Sequence, residues 1–220
     1  TVIAITDVEK SEVLKRNSKA IVKIIPNIHS LSESPLGFEP RKGLLFIGHY
    51  LHTPNEDAII YFLNDIFPRV QEKIGDVPFY ILGSSITKKI KQYETELIRP
   101  IGYVEDLQPW FDKARVFVAP LRYGAGMKGK IGQSLSFGLP IVTTSIGAEG
   151  MMLENGKHIL IEDTPIAFSD KVVRLYEDVK LWNSLSKNGQ NHIFQHFSAA
   201  AVQNSIKKLF DIEKTESHYE

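Results

Sequence analysis

Four short apolar runs in this chain each stop on a glycine or a proline. Leu44-Leu45-Phe46-Ile47 ends at Gly48, Phe79-Tyr80-Ile81-Leu82 runs into Gly83, Ile98 to Ile101 ends at Gly102, and Val116-Phe117-Val118-Ala119 closes on Pro120. Three of them, at Leu44, Phe79 and Val116, are continuously apolar rather than alternating, as expected of strands covered on both faces. Helical spacing separates them. Ile59, Phe62, Leu63, Ile66, Phe67 and Val70 keep one face of a helix. Thr53-Pro54-Asn55-Glu56 reads as its start, with Thr53 as cap, Pro54 in the first position and Glu56 closing a capping box. Pro68 marks a kink or an end. Strands alternating with helices predict an α/β domain on a parallel sheet with helices on both faces.

The pattern continues on both sides of these runs. Leu107 to Ala114 and Lys130 to Phe137 read as helices, and Pro140 to Thr144 and Ile159 to Ile161 as strands. Helices over Ile166 to Tyr176, Leu181 to His196 and Ala199 to Ile212 close the chain, with Glu213 to Glu220 as a fraying polar end. Upstream, a strand over Val2 to Ile5, a helix over Val8 to Arg16 and a strand over Ile21 to Ile25 stop at Pro26-Asn27. Residues 28–42, rich in serine, glycine and proline, read as a linker. The opening Thr-Val-Ile-Ala-Ile-Thr, already strand-like and without methionine, reads as a cut from a longer protein.

Composition narrows the function classes. The chain carries 26 basic and 26 acidic residues, so its balance gives no case for a nucleic-acid partner. It has no cysteine, which excludes disulfides, thiolate metal sites and cysteine nucleophiles and fits a cytoplasmic protein. No apolar run approaches the ~20 residues of a transmembrane helix. The seven histidines are scattered in sequence and form no metal-ligand pattern.

Parallel sheets bind ligands beyond the carboxyl ends of their strands. The richest such segment runs from Arg122 to Gln133 and contains Gly124, Gly126, Gly129 and Gly132 with Lys128 and Lys130. Glycines let backbone turn tightly against a ligand, a following helix offers free N–H groups, and two lysines add positive charge. A diphosphate suits this chemistry better than a neutral ligand. Gly124-Ala125-Gly126-Met127-Lys128-Gly129 also spells the dinucleotide fingerprint. That motif belongs at the first strand–helix turn of its domain, with an acid ending the next strand. Here it follows the fourth strand after the linker, and Thr143, Thr144 and Ser145 stand where the acid should be.

The stretch from Phe46 to Met151 resembles the donor-binding, C-terminal domain of family 4 (group 1) glycosyltransferases. The resemblance rests on Phe46-Ile47-Gly48 with Pro54-Asn55-Glu56-Asp57-Ala58, on Ile101-Gly102-Tyr103-Val104-Glu105-Asp106-Leu107, and on Val118-Ala119-Pro120-Leu121-Arg122 with the glycine-rich loop. Gly138-Leu139-Pro140-Ile141-Val142-Thr143 and Ile146-Gly147-Ala148-Glu149-Gly150 complete it. It implies a Rossmann-like domain that is one half of a GT-B fold. Residues 1–27 would then be a remnant of the acceptor-side domain, 28–42 the linker, 43–198 the donor-binding domain, and 199–220 a C-terminal helix and tail. It also implies a hexosyltransferase-type enzyme moving sugar from a UDP-, GDP- or ADP-linked donor to a hydroxyl of a sugar, glycan, lipid or protein. No metal or other cofactor is implied, and the full-length protein would be cytoplasmic or peripheral to a membrane.

The resemblance assigns Gly48, the backbone of Gly126 and Met127, and Lys128 and Lys130 to the sugar diphosphate. It assigns Gln133 to ribose, and Tyr103 and Val104 to the nucleobase. The family usually has two glutamates where this chain has Ala125 and Gln133. Glutamine still accepts a hydrogen bond, without charge assistance, whereas Ala125 makes no polar contact. The family's arginine and lysine after the first strand are replaced by Gly48-His49-Tyr50-Leu51-His52, which leaves Arg122 as a weaker phosphate candidate. His49 and His52 read first as surface residues, Glu149 as a partner of loop backbone, and Trp110, Phe111 and Phe117 as core. No catalytic residue is assigned, and the fragment alone is expected to turn over little sugar. An epimerase of the same fold and a non-catalytic nucleotide-binding subunit are the alternatives.

Overall fold

The computed structural model describes residues 1–32 and 36–210, leaving the side chain of Phe210 aside. Ser34 and Pro35 of the linker, and the tail Glu213–Glu220, lie outside the described residues. The chain opens with β1 (Val2–Ala4), α1 (Asp7–Arg16) and β2 (Val22–Ile24). β1 and β2 pair in parallel as a separate two-stranded sheet. The main body follows as β3 (Leu44–Ile47), α2 (Thr53–Tyr61), a π-helical turn (Phe62–Ile66), α3 (Phe67–Ile74), β4 (Phe79–Leu82), α4 (Lys88–Lys91) and β5 (Ile98–Gly102). Then come α5 (Gln108–Lys113), β6 (Val116–Ala119), α6 (Gly129–Ser136), β7 (Ile141–Thr143), α7 (Ser145–Ala148) and β8 (Leu160–Ile161). Helices α8 (Pro165–Glu177), α9 (Val179–Phe197) and α10 (Ala199–Phe210) finish it.

The six strands β3 to β8 form one parallel sheet in the order β5-β4-β3-β6-β7-β8. The order reverses between β3 and β6, and a crevice for ligands opens at such a switch point. Successive residues face opposite sides of the sheet. Leu44, Phe46, Phe79, Ile81, Val116 and Val118 meet α2, α3 and α8 on one face. Leu45, Tyr80, Leu82, Phe117 and Ala119 meet α5, α6 and α9 on the other. The first face is anchored by Phe62, Phe67 and Phe79, with Phe62–Phe79 ring centroids 4.8 Å apart. Each buried phenylalanine is worth about 1.5–3 kcal/mol, and Phe79→Ala would cost about 3–5 kcal/mol. Phe111 and Phe117 are buried in the second core as anticipated, and Trp110 packs against it.

Several local expectations need correction. Thr53 is the first residue of α2 rather than its cap; His52 is the cap and makes no side-chain bond. The capping box does not form, because Thr53 is not the cap; Glu56 instead lies 3.3 Å from Lys89 of α4. Pro68 does not end its helix. It lacks an N–H and would clash with the carbonyl four residues back, and the preceding turn widens so that the Phe67 N–H bonds to the Phe62 carbonyl. The Arg69 side chain then donates to the Asp65 carbonyl at 3.1 Å. Gly147 and Ala148 belong to α7, which is capped by Thr144, whose hydroxyl accepts from the Gly147 N–H at 3.1 Å.

The described part of residues 28–42 is docked rather than loose. His29 N–H donates to the Phe197 carbonyl at 2.8 Å, and Ser32 N–H to that of Ser136 at 3.0 Å. Arg41 is fully buried and donates to the carbonyls of Leu36 (2.9 Å), Ala114 (3.2 Å) and Phe111. Burial pushes its pKa down to about 10, partly opposed by Asp112. Among the described residues no helix is long and apolar enough to cross a membrane.

Candidate functional site

The site is built on strand ends stripped of side chains. Gly48 N–H donates to the Leu82 carbonyl at 3.0 Å, and Gly83 N–H to the Gly102 carbonyl at 2.8 Å. Gly83 has φ +119°, and a Cβ there would fall 1.8 Å from the Gly48 oxygen. The end of β4 can thus lie this close to the end of β3 only because position 83 is glycine. Gly48 thus stands directly after β3, beside the switch point between β3 and β6.

The glycine-rich loop closes over the other side of the switch point. Gly124 (φ +126°) and Gly126 (φ +78°) both take left-handed backbone, and Gly124 abuts Pro54 at the start of α2. Lys128 is the N-cap of α6 and is only 8% exposed. Its ammonium donates to the Gly124 carbonyl at 3.0 Å and to the Glu149 carboxylate at 3.2 Å. Glu149 therefore bonds a lysine side chain rather than loop backbone. Met127 tucks its side chain into the second core, which leaves its backbone for any ligand.

Lys130 points elsewhere. Its ammonium lies 4.3 Å from the centre of the Phe46 ring and donates to the Asn55 side-chain oxygen. Desolvation without a carboxylate partner pushes its pKa down to about 7. Asn55 in turn donates to the His49 carbonyl at 2.9 Å, and the His49 Nδ1 lies 2.8 Å from the Ser84 hydroxyl. Asn55 and Ser84 had no assigned role; both stand just beyond strand ends, which was the available signal.

Arg122 is committed away from the loop. Its guanidinium forms a two-pronged pair with Asp57 and covers the Tyr61 ring at 4.7 Å. Its pKa is raised, first by that hydrogen bond to Asp57. Gln133 lines a cavity of about 510 Å³ between α5, α6 and the docked residues 28–32, together with Gln108, Gly129 and His29. Tyr103 is 76% exposed after β5, while Val104 packs on the second core. The carboxylate of Glu9, on α1, stands beside Gly126, 3.2 Å from where a Cβ would be. Nothing in the sequence linked residues so far apart.

The histidines are not all scattered in space. His158, His192 and His196 pack in a row with ring centroids 4.4 and 4.8 Å apart and planes tilted by 40° and 46°. His192 bonds the Met151 carbonyl at 2.8 Å, and desolvation lowers the pKa of both His158 and His192. Among the described residues no group of three or more candidate ligands could hold a metal ion.

Several solved structures share this architecture. Staphylococcus aureus TarM, crystallised with fondaparinux, α-GlcNAc-glycerol and UDP, matches with a TM-score of 0.79 at 20% identity, over 96% of this chain and 43% of that one. Anabaena HepE with UDP-glucose matches with a TM-score of 0.77 at 14% identity, over 96% and 63%. The pneumococcal O-GlcNAc transferase GtfA with UDP and GlcNAc gives 0.73 at 17%, over 96% and 45%. In sequence, an uncharacterised 44.6 kDa protein of the Klebsiella pneumoniae cps region is 25% identical over 174 residues, covering 75% of this chain and 45% of the relative. The putative glycosyltransferase YtcC of Bacillus subtilis is 22% identical over 191 residues, covering 79% and 46%. The chain thus spans about half the length of these curated relatives. The model of the family "Glycosyl transferases group 1" matches residues 41–178, a span that holds all six strands of the main sheet, the bare strand ends and the glycine-rich loop. By that match, which covers most of its length, this chain belongs to the group 1 glycosyl transferases.

Proposed function

We propose that this chain binds the nucleoside diphosphate of a nucleotide-sugar donor for transfer of the sugar to a hydroxyl acceptor held by a part of the protein outside this chain. One observation carries the reading. The glycine-rich loop after β6, with left-handed glycines at 124 and 126, holds the largely buried Lys128 ammonium at the N-terminus of α6, beyond the carboxyl end of a strand of a parallel sheet. Fixed donors and a lysine there stabilise the charge that develops on a departing diphosphate, without a metal. The UDP or UDP-sugar carried by TarM, HepE and GtfA makes UDP the first nucleotide to test.

In this reading Gly48, Gly126, Met127 and Lys128 face the diphosphate, and Lys130 acts on it from beneath. Gln133 accepts from ribose at the mouth of its cavity, and Tyr103 and Val104 border the base. Residues 1–27 belong to the acceptor-side domain and 43–198 to the donor-binding domain. Calorimetry with UDP, GDP and ADP tests the reading, with Lys128→Ala as control. Micromolar to millimolar binding of one nucleotide, weakened about tenfold or more by the substitution, is the expected result. No binding by any of them would overturn it.

A further inference from the structure

Glu9 is held in place from two sides. Thr6 caps α1, its hydroxyl accepting from the Glu9 N–H at 3.1 Å, and Glu9 Oε2 reaches back to accept from the Ile5 N–H at 2.8 Å. This reciprocal pair is close to a capping box, with the glutamate reaching one residue beyond the cap. The start of α1 is also seated on the main body. Thr6 is 2% exposed, and a Cβ on Gly150 would come 2.7 Å from its methyl group. The other carboxylate oxygen, Oε1, stands 3.2 Å from where a Cβ on Gly126 would be. The bare backbone of Gly126 leaves it that room.

α1 and the glycine-rich loop border a cavity of about 320 Å³, a volume in the range of small-molecule sites. Val8, Val13, Ala125 and Gly126 give it apolar walls, and its charged residues are Glu9, Glu12, Glu149 and Arg16. Glu149 is taken by Lys128 at 3.2 Å, and Glu12 by Lys15 at 2.6 Å. Arg16 is about two turns further along α1. Glu9 is thus the carboxylate with an oxygen turned to the loop, and Glu149 links the same cavity to the lysine assigned to the diphosphate.

We infer that Glu9 is a sugar-contact residue, supplied by α1, whose Oε1 accepts hydrogen bonds from hydroxyls of the transferred sugar. This rests on the donor-site reading above. The sugar of a nucleotide donor is bonded directly to the diphosphate, so phosphates at Gly126 and Lys128 bring the sugar against the walls beside them. Ala125 has only a methyl group to offer there. A hydroxyl entering between apolar walls costs free energy unless it finds a partner, and a bond to a carboxylate is stronger than one to a neutral acceptor. A carboxylate already fixed by its own helix cap loses little freedom when it makes that bond.

Calorimetry on the 220-residue chain tests this by comparing whichever of UDP, GDP and ADP binds best with its glucose-linked form. Glu9→Gln keeps the cap, since glutamine serves a capping box as glutamate does, and removes the charge. It is expected to weaken the glucose-linked nucleotide about three- to tenfold and to leave the free diphosphate within a factor of about two. Glu9→Ala should weaken the glucose-linked form further. Equal losses for both ligands would mean that Glu9 only holds α1 in place, and would overturn the inference. Unchanged affinity of the glucose-linked form in both variants would overturn it as well. If a nucleoside diphosphate binds and Lys128→Ala weakens it while the Glu9 variants behave as wild type, this inference alone fails. If the wild-type chain binds no nucleoside diphosphate, the donor-site reading fails and takes this inference with it.

Discussion

The Lys128 ammonium lies 3.2 Å from the Glu149 carboxylate across the lip of the crevice, with Lys128 8% exposed. In the proposed donor site, this pair neutralises the cation assigned to the diphosphate. An incoming diphosphate therefore meets a carboxylate as well as an ammonium. Glu149→Gln removes the competing negative charge and keeps the shape. It is expected to tighten UDP binding by about two- to tenfold, in line with a partly exposed ion pair, and to steepen its salt dependence. Weaker binding would show instead that Glu149 is needed to hold Lys128 in place.

Lys130 makes binding and stability depend on pH. Its pKa is lowered from 10.5 to about 7 by desolvation. Below about 7 the ammonium is charged in both folded and unfolded chains. Between about 7 and 10.5 the unfolded chain holds more protons, so this group makes stability rise with pH across that window. An approaching diphosphate favours the charged form, so UDP should bind at pH ~8 with proton uptake. Calorimetry in buffers of different ionisation heat measures that uptake, and Lys130→Met should abolish it. Identical heats in every buffer for the wild type would sink the prediction.

Gly83 is the least replaceable of the strand-end glycines. At φ +119° with a Cβ 1.8 Å from the Gly48 oxygen, alanine must push β3 and β4 apart. The expected cost is about 3 kcal/mol or more, read as a lower midpoint in urea unfolding. An unchanged midpoint would mean that the strand ends have room to move.

Arg122 serves as the contrasting cation. Its pair with Asp57 is half exposed and lies over Tyr61. Arg122→Ala should cost about 0.5 kcal/mol of stability and leave UDP affinity within a factor of about two, because the substitution takes nothing from the glycine-rich loop. A tenfold loss of UDP affinity would return Arg122 to the list of phosphate contacts.

Much of the architecture was legible in the sequence. The runs at Leu44, Phe79 and Val116 became strands with the anticipated limits, since continuous apolarity between a helix and a glycine or proline stop is a local signal. Helix α4 was missed because its four residues are too few for a periodic pattern. The capping box at Thr53 failed because α2 begins at Thr53 itself, one residue earlier than the box requires, and helix ends are set by context beyond the local motif. Among the residues proposed for the site, Gly48 follows β3, Lys128 caps α6 and Gln133 lines a cavity against residues 28–32. Lys130 is turned to Asn55, and Arg122 to Asp57.

The sequence by itself determined the strand–helix alternation and the glycines that bare the strand ends. It also determined that two lysines follow a loop at the carboxyl edge of the sheet. These depend on residues a few positions apart, where backbone sterics and hydrophobic spacing act. Only the tertiary structure decided what each cation does. Lys128 meets Glu149 21 positions later, Lys130 meets Asn55 75 positions earlier, and Glu9 reaches Gly126 from α1. Charge pairing and desolvation follow distances in space, and those distances exist only once the sheet has brought separate strand ends together.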